Sequence, residues 1–217
     1  MTILSPQQRR VLDALAREQT IASAFYLSGG TALSEYYLHH RYSEDLDFFS
    51  FDEFPVEGVT AALKKISKRA GITGMRFEQS FNRNLFFLEV GEEMIKTEFT
   101  YYPFERIDTA KKEGALAVDS LIDIAVNKLF TLYQQPSSRH FIDLFCIIER
   151  EHWTIAELSQ KAQIKFDTHV DPLQLGAQFL RADELKDYPR MIVPIEPDAW
   201  QAFFKEEAAR LRPSVLE

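Results

Sequence analysis

The sequence contains little cysteine, glycine or proline and has no long hydrophobic run. Its 217 residues include a single cysteine, Cys146, which cannot form an internal disulfide. With 8 Gly and 9 Pro beside 46% hydrophobic residues, the composition excludes fibrous and disordered classes. No stretch approaches the roughly 20 apolar residues that a membrane-spanning helix requires. The N-terminal segment lacks the charged start and apolar run of a signal peptide. We therefore expect a folded, cytoplasmic protein without membrane association.

Positive charge is also in deficit, because 25 Lys and Arg stand against 33 Asp and Glu, for a formal net charge of −8. Such a chain is poorly suited to indiscriminate coating of phosphate backbones, which argues against an architectural nucleic-acid role. The charge is unevenly distributed. Residues 35–57 contain seven acidic residues and one Arg, whereas residues 58–90 contain six basic and two acidic residues. A local basic surface that receives an RNA backbone is therefore compatible with the acidic total. Its members are Lys64, Lys65, Lys68 and Arg69.

The hydrophobic pattern predicts a mixed α/β half over residues 1–115, followed by a mainly helical half over residues 116–217. Ser5 and Pro6 are typical of a helix start, and this first helix is predicted to reach about Ser23. The predicted strands are Phe25–Ser28, Asp45–Phe51, Gly74–Ser80, Asn84–Val90 and Met94–Tyr101, the later ones spaced as an antiparallel hairpin or meander. Further helices are predicted at Thr31–His40, Pro55–Ala70, Asp119–Tyr133, Ser137–Arg150, Thr154–Ala162 and Asp198–Leu211. The expected fold class is α+β, with a small mixed sheet and a helical C-terminal part.

Two groups of residues that are candidates for binding or catalysis lie close together in the first half of the sequence. Gly29-Gly30-Thr31 falls at a predicted strand-to-helix turn, where glycines let backbone N–H groups approach an anion. Asp45 and Asp47 project from one face of the next strand, and paired hard oxygen ligands favour Mg²⁺. A lone Gly-Gly is usually only a turn, and a lone Asp-x-Asp is common on exposed strand edges. Together, with 14 residues between Gly30 and Asp45, they indicate a site for a triphosphate and its metal.

This arrangement resembles the nucleotidyltransferase superfamily that includes DNA polymerase β, in which a Gly-Gly or Gly-Ser turn and a short helix precede Asp-x-Asp. Residues 26–51, YLSGGTALSEYYLHHRYSEDLDFFSF, resemble more closely the core motif of the AbiEii/AbiGii-type toxin family of nucleotidyltransferases. Arg41 and Ser43 belong to the matching pattern, as residues that position phosphate or the Asp45 loop. A helix C-terminal Arg and a cap-like Ser account equally well for these two residues without a ligand.

The resemblance continues over residues 119–147. The family has a Lys on a downstream helix and then an Arg-Asp-x-x-Asp element, and Lys128, Arg139 and Asp143 stand at the matching spacing. His140 departs from the pattern, which usually has Asp there. The resemblance implies that Lys128 and Arg139 contact the nucleotide, with Lys128 neutralising its phosphates, and that Asp143 holds Lys128 or orients the substrate. Because Lys128 and Asp143 both lie in apolar helices, a purely structural ion pair is the alternative.

A third carboxylate is expected on a neighbouring strand in this superfamily. Glu98 is the candidate, because alternation along its strand places it on one face with Lys96 and Thr100. A carboxylate there ligates a metal near the attacking hydroxyl or helps to remove the proton of that hydroxyl. A solvated Glu on the polar face of a strand is the plainer interpretation.

The resemblance implies a polymerase β-like nucleotidyltransferase core at residues 1–115, with residues 116–217 completing the active-site cleft. The implied activity is Mg²⁺-dependent transfer of NMP from an NTP to an acceptor, and family members are linked to RNA acceptors such as tRNA. It also implies the toxin of a toxin–antitoxin or phage-defence pair, with a cognate antitoxin.

Two other functions stay open. One is a catalytically quiet module that binds nucleotide or a protein partner, for which the His140 departure leaves room. The other is a small-molecule nucleotidyltransferase of the antibiotic-modifying kind, against which the spacing in residues 119–147 argues.

Overall fold

Residues 2–211 are described by a computed structural model, and this part of the chain contains seven strands and nine α-helices. The strands are β1 (Tyr26–Ser28), β2 (Asp45–Ser50), β3 (Ile72–Ser80), β4 (Arg83–Val90), β5 (Glu93–Tyr101), β6 (Lys111–Glu113) and β7 (Leu116–Val118). The α-helices are α1 (Pro6–Ala16), α2 (Gln19–Ala24), α3 (Gly29–Leu33), α4 (Val56–Ala70), α5 (Leu121–Gln134), α6 (Ser138–Glu151), α7 (Ile155–Phe166), α8 (Pro172–Leu180) and α9 (Pro197–Arg210). A π-helical turn, Ser34–Leu38, follows α3, and a 3₁₀ turn, Arg181–Asp183, follows α8. The chain divides into two compact units, Met1–Ser120 and Leu121–Glu217.

The first unit contains one mixed sheet with the strand order β3-β4-β5-β2-β1-β7-β6. Strands β3, β4 and β5 form the predicted antiparallel meander, and β5 then runs parallel to β2. Strand β1 is antiparallel to β2 on one side and parallel to β7 on the other. The mixed sheet confirms the α+β prediction and places β2, which carries the two aspartates, at its centre.

Alternation along β2 separates an apolar face of the sheet from a polar one. Leu46 and Phe48 are fully buried, whereas Asp45 and Asp47 on the opposite face are half-buried. The Phe48 ring stacks on Phe99 of β5 with a centroid distance of 4.9 Å. Each fully buried side chain of this kind contributes about 1.5–3 kcal/mol to folding, so the apolar face fixes the register of the strand and thereby the position of both carboxylates.

The helix ends follow the signals in the sequence. Ser5 caps α1 in a capping box with Gln8, and Thr154 caps α7 in a capping box with Glu157. Gly71 ends α4 with φ +74, the left-handed conformation that glycine adopts without steric cost.

The second unit contains α5–α9 around an aromatic core. Phe141 of α6 stacks on Trp200 of α9 and meets Phe204 edge to face, with centroid distances of 5.7 and 4.7 Å. Within residues 2–211, no helix combines the length and apolar character needed to cross a membrane.

The structure corrects the predicted helix from Ser5 to Ser23. Helix α1 ends at Ala16 and α2 begins at Gln19, with Glu18 between them in extended conformation. The Glu18 carboxylate accepts a hydrogen bond from Lys65 Nζ of α4 at 2.8 Å. This contact lies outside the local sequence, which explains why the helical pattern alone missed the break.

Four further elements differ from the sequence prediction. The predicted helix Thr31–His40 is instead α3 followed by a π-helical turn, and it ends at His39 with φ +51. Strands β6 and β7 were not predicted, because three-residue strands carry no readable period and β7 depends on its pairing with β1. Helix α8 was also missed, although Asp171 and Pro172 supply an N-cap and a first-turn proline.

Candidate active site

Asp45 and Asp47 occupy the central strand of the sheet. In the parallel register between β2 and β5, Asp45 lies opposite Lys96 and Asp47 lies opposite Glu98. In the antiparallel register with β1, Asp47 lies opposite Ser28, the last residue before the glycine turn. The sheet therefore brings the predicted Asp-x-Asp strand, the predicted third carboxylate and the glycine turn next to one another.

Gly29 lies directly against the Asp47 carboxylate. Its φ is +73, and a Cβ built at this position would overlap with Asp47 Oδ2. The absence of a side chain thus has two physical reasons, the left-handed backbone and the close carboxylate. The turn and Asp47 form one packed unit, which the sequence could indicate only through spacing.

Gly30 lies against the predicted phosphate-positioning pair. A Cβ at Gly30 would lie 2.5 Å from Arg41 Nη2 and 3.0 Å from Ser43 Oγ. Arg41 is buried, and its Nη1 donates to the carbonyl of Tyr42 at 2.9 Å. The guanidinium and the hydroxyl are therefore held beside the glycine backbone, where they can contact the same anion as its N–H groups.

Thr31 ties the turn to the aspartate strand. Its hydroxyl donates a hydrogen bond to the backbone carbonyl of Asp45, and Thr31 is fully buried. The Thr31 side chain is thus a link between α3 and β2. Its hydroxyl is engaged within the protein, so in this structure Thr31 can offer an anion only its backbone.

Glu98 is buried on β5 and held by an arginine. Arg83 Nε and Nη2 donate to its two carboxylate oxygens at 2.7 and 2.5 Å, and Thr100 Oγ1 donates to Oε1 at 2.8 Å. Burial opposes ionisation of Glu98, but the hydrogen bonds from Arg83 and Thr100 outweigh it and lower the pKa of Glu98. The hydrogen bonding to Glu98 and the Glu98 charge, followed by the nearby charges of Asp47 and Asp45, raise the pKa of Arg83. Glu98 is a fixed, ionised carboxylate.

Asp45 is paired with a second cation of the same face. Lys96 Nζ donates to Asp45 Oδ2 at 2.7 Å, and both side chains are about one third exposed. Half-exposed pairs of this kind contribute only about 0–1 kcal/mol, so the contact can be exchanged for another cation at low cost.

The donor set fits Mg²⁺ in part. Among residues 2–211, no three Asp, Glu, His or Cys side chains converge as a ready-made metal cage. Mg²⁺ in phosphoryl-transfer sites, however, is usually held by one or two carboxylates, with water and substrate phosphate oxygens filling the other positions. Asp45 and Asp47 on one face of β2 meet that requirement, whereas Glu98 is already engaged by Arg83 and Thr100.

Two buried contacts fix the loops around the aspartates. Gln8 Nε2 of α1 donates to the carbonyls of Ser43 and Glu44 at 3.0 and 2.8 Å, immediately before Asp45. Ser28 Oγ donates to the carboxylate of Asp119 at 2.8 Å, and Asp119 is fully buried. These residues support the backbone of the site from both sides.

The downstream motif lies in the second unit, where Lys128 of α5 and Asp143 of α6 form a buried ion pair. The Nζ to Oδ2 distance is 2.6 Å, and the side chains are 6% and 0% exposed. Arg139, four residues before Asp143, is exposed, and His140 is half-buried. The pairing that the sequence allowed for Lys128 and Asp143 is therefore present, and Arg139 lies outside it.

A second buried pair in this unit was not predicted. Lys165 Nζ of α7 donates to Asp123 Oδ1 of α5 at 2.7 Å, with side-chain exposures of 1% and 0%. Asp123 stands five residues before Lys128, and Lys165 follows apolar residues on α7, so a helical-face argument could have flagged both as buried charges. Only the packing of α5 on α7 identifies them as partners.

The predicted basic surface is exposed on α4. One member, Lys65, donates to Glu18 at 2.8 Å, so part of its charge is compensated. The other members, Lys64, Lys68 and Arg69, are exposed on the same helix.

Arg83 belongs to the candidate site but was not predicted from the sequence. Its partner Glu98 is 15 residues away, and the register of β4 on β5 places Arg83 opposite Thr100. The antiparallel spacing of the two predicted strands was the available signal, since it brings the start of β4 beside the end of β5.

Comparison with known proteins places the chain in a family. A family model described as the nucleotidyl transferase AbiEii toxin of type IV toxin–antitoxin systems matches residues 10–213. The uncharacterized protein aq_aa25 of Aquifex aeolicus (strain VF5) is 31% identical over 170 residues, which is 76% of this chain and 77% of that protein.

Two crystal structures from Helicobacter pylori share the fold. JHP933 matches with a TM-score of 0.57 and 17% identity, covering 97% of this chain and 94% of that chain. A second protein, proposed to be a nucleotidyltransferase, matches with a TM-score of 0.59 and 18% identity over 99% of both chains. At 17% and 18% identity, these two structures show that the fold is shared and nothing more. The family model, by contrast, covers the glycine turn, the aspartate strand and the downstream motif. The chain therefore belongs to the AbiEii family of nucleotidyl transferase toxins of type IV toxin–antitoxin systems, and it is a nucleotidyltransferase.

Proposed function

We propose that this nucleotidyltransferase uses Mg²⁺ to transfer NMP from an NTP to an RNA acceptor such as tRNA, as the toxin of its pair. The observation that carries the proposal is the packing of Gly29 on the Asp47 carboxylate, with Asp45 on the same strand face. This contact places a turn suited to a triphosphate beside carboxylates suited to its metal. Membership of a type IV family implies a nucleotide substrate and an antitoxin partner.

In this proposal Asp45 and Asp47 hold the metal. When bound, Mg²⁺ neutralises phosphate charge and orients the reacting oxygens. Glu98 completes the acidic set as a fixed carboxylate, and its lowered pKa suits a ligand or an orienting group better than a strong base. Arg83 keeps Glu98 in place through two hydrogen bonds.

The glycine turn receives the triphosphate. Backbone N–H groups of Gly29, Gly30 and Thr31 donate to phosphate oxygens, and Arg41 and Ser43 add a guanidinium and a hydroxyl beside Gly30. The acceptor hydroxyl oxygen attacks the α-phosphorus, and its proton passes to solvent water. The bond from that phosphorus to the oxygen bridging the β-phosphorus breaks, and pyrophosphate leaves with the electron pair. Catalysis in such a site consists mainly of positioning and charge stabilisation.

The roles of Lys128, Arg139 and Asp143 in the proposal rest on the family resemblance. Lys128 and Arg139 act on the nucleotide phosphates, and Asp143 holds the Lys128 ammonium, a contact of 2.6 Å in this structure. The buried ion pair also has a structural role by itself, which the variants in the Discussion separate from nucleotide binding.

Transfer of radiolabel tests the proposal. The protein is incubated with each of the four α-³²P-labelled NTPs, Mg²⁺ and total RNA, and a parallel reaction replaces RNA by total protein. We expect label in RNA from at least one NTP, and loss of at least 100-fold of that signal in Asp45→Ala and Asp47→Ala, since the metal-holding carboxylates are removed. A signal that survives Asp45→Ala, or label found only in protein, contradicts the assignment.

A catalytically quiet module that binds nucleotide or a protein partner is the second candidate. One observation favours it, since Lys96 and Arg83 already pair with Asp45 and Glu98. Calorimetric titration with NTP and Mg²⁺ distinguishes the two candidates, because binding without transfer to any acceptor supports the quiet module.

A further inference from the structure

A basic cavity that is open to solvent lies along α1 and beside the C-terminal end of α4 in the first unit. Its volume is about 280 Å³, and its lining includes Arg9 and Arg10 of α1, Arg17 directly after α1 and Arg69 of α4, with Asp13 as the acidic residue. Such a concentration of guanidinium groups is unusual in a chain of net charge −8. Like charges that share a cavity repel one another, so the cavity is suited to an anion.

Most of the positive charge in the cavity is not neutralised by the protein. Arg9 pairs with Asp13 at 2.9 Å and also with Glu113. Within residues 2–211, by contrast, Arg10, Arg17 and Arg69 form no ion pair with a carboxylate. Three guanidinium groups therefore keep their charge for a ligand.

Arg10 is held in place by the backbone. Its Nε donates to the carbonyl of Arg69 at 2.9 Å, a bond that uses one donor and neutralises no charge. Its guanidinium packs against Gly71, where a Cβ would lie 2.7 Å from Nη1. Gly71 thus caps α4 in the left-handed conformation, and its missing side chain leaves room for the Arg10 guanidinium. The arrangement keeps the Nη groups oriented, as a paired approach to phosphate oxygens requires.

Helix α1 connects this cavity to the candidate active site. Gln8 of the same helix donates to the carbonyls of Ser43 and Glu44, directly before Asp45. At about 1.5 Å of rise per residue, Arg10 lies about 3 Å and Arg17 about 14 Å along the axis from Gln8. Because Gln8 and Arg10 are two residues apart, they lie on nearly opposite faces of α1, so an acceptor polymer with its reactive end at Asp45 would reach the cavity by passing around this helix.

The size and chemistry of the cavity select the ligand. The cavity is open to solvent and does not enclose a small molecule, so a phosphate group within a longer chain fits it better. Guanidinium forks match phosphate oxygens in pairs, and exposed Lys64 and Lys68 extend the positive surface along α4. We propose that the Arg10, Arg17 and Arg69 cavity binds the phosphodiester backbone of the RNA acceptor. This inference rests on the proposed function and adds the place where the acceptor is held.

The test compares two variants of equal net charge. The cavity variant is Arg10→Gln, Arg17→Gln and Arg69→Gln, and the control variant is Arg76→Gln, Arg181→Gln and Arg210→Gln, all exposed positions elsewhere. The probe is fluorescein-labelled bulk tRNA, and its fluorescence anisotropy is measured between 50 and 300 mM KCl. We expect the cavity variant to bind about 10- to 100-fold more weakly, and its slope of log K against log salt to be smaller in magnitude by about two to three. Binding of NTP with Mg²⁺, measured by calorimetry, should be unchanged.

Two results overturn the inference. One is a cavity variant that binds tRNA within twofold of the unmodified protein, and the other is a control variant that loses as much affinity as the cavity variant. Thermal unfolding of each variant establishes that the fold is retained. The single variant Arg17→Gln, at the exposed residue directly after α1, supplies the same readout if the triple variant does not fold.

Asp45→Asn separates the two proposals, because it should abolish transfer while the affinity for tRNA is unchanged. A protein that binds tRNA through the cavity but never labels it upholds the cavity and refutes the proposed reaction, whereas label found only in protein, with no tRNA binding, refutes both.

Discussion

The acidic residues of the candidate site are interleaved with cations on one face of the sheet. Lys96 pairs with Asp45, and Arg83 pairs with Glu98. The two contacts differ in environment, because Lys96 and Asp45 are both about 30% exposed, whereas Glu98 is 7% exposed in its side chain. Lys96 is therefore an exchangeable cation and Arg83 a structural one.

Lys96→Met should increase the affinity of the site for a divalent cation. Lys96 and a metal compete for the Asp45 carboxylate, and a half-exposed pair contributes up to about 1 kcal/mol, so Mn²⁺ should bind about two- to fivefold more tightly. Electron paramagnetic resonance of free Mn²⁺ during titration measures this affinity. Lys64→Met, on exposed α4, removes the same charge at another place and should leave it unchanged. Equal or weaker Mn²⁺ binding by Lys96→Met would show that the two cations do not compete.

Arg83→Met should make the stability of the protein depend differently on pH. In the folded protein the pKa of Glu98 lies below its unfolded value, so ionised Glu98 stabilises the fold at neutral pH, and this contribution is lost as pH falls through the folded pKa, below about 4.3. Without Arg83, fewer hydrogen bonds oppose the effect of burial, so the pKa of Glu98 rises relative to the unmodified protein. We expect a loss of about 1–2 kcal/mol at pH 7 that becomes smaller towards pH 4.

Urea unfolding at several pH values, in the presence of EDTA, measures the effect of Arg83→Met. The matched control is Arg76→Met, because Arg76 pairs with Glu78 on exposed β3 and both side chains are largely exposed. This control should stay within about 0.5 kcal/mol of the unmodified protein at all pH values. If Arg83→Met lowers the free energy of unfolding by the same amount at pH 7 and pH 4, ionisation of Glu98 is not the cause of the loss.

At the scale of elements, the glycine turn between β1 and α3 should tolerate no side chain at Gly29. An alanine there faces the left-handed backbone, at about 1–2 kcal/mol, and overlaps with the Asp47 carboxylate. Gly29→Ala should therefore reduce NMP transfer at least tenfold in the radiolabel assay and lower the melting temperature. Gly58→Ala on α4 is the control, since its nearest neighbour would be Pro55 Cγ at 3.9 Å and helix propensity favours alanine. A fully active Gly29→Ala protein would show that the glycine turn is not needed for NMP transfer.

The contact of α5 with α7 depends on the Lys165–Asp123 pair. Lys165→Met leaves the Asp123 carboxylate buried without that partner and should cost about 3–5 kcal/mol of unfolding free energy. The double variant Lys165→Met with Asp123→Leu replaces both charges by apolar groups and should recover most of the loss. Urea unfolding of the three proteins measures both effects. Equal stability of the single and double variants would indicate that the pair is not coupled.

At the scale of the whole molecule, the residues assigned to the reaction are distributed over both units of the chain. The second unit offers two buried Lys–Asp pairs of similar geometry, so one can serve as the control for the other. Lys128→Met with Asp143→Leu should keep the fold but weaken NTP binding at least tenfold, whereas Lys165→Met with Asp123→Leu should leave NTP binding unchanged. Calorimetry with NTP and Mg²⁺ measures this difference. Equal NTP affinity in both double variants would restrict Lys128 and Asp143 to a structural role.

The order of elements in the first unit was predictable because each long element carries its own signal. The strand-forming runs of β3, β4 and β5 and the Ser5-Pro6 start of α1 are local properties, and the structure confirms these elements. Elements whose existence depends on distant partners were not predictable in the same way. Strand β7 is three residues long and depends on β1, and the break between α1 and α2 coincides with the contact between Glu18 and Lys65.

Local sequence is sufficient to predict the chemistry available at the candidate site. Two glycines, an Asp-x-Asp strand and their spacing are enough to indicate a phosphate turn beside carboxylates, since alternation along a strand places Asp45 and Asp47 on one face. Tertiary structure alone decided which cations accompany those carboxylates. Arg83 reaches Glu98 and Lys96 reaches Asp45 through the register of neighbouring strands, and the arginines of α1 meet Arg69 through the packing of two helices. The physical reason is that local pattern specifies which face a side chain occupies, whereas the partner across that face comes from another part of the chain.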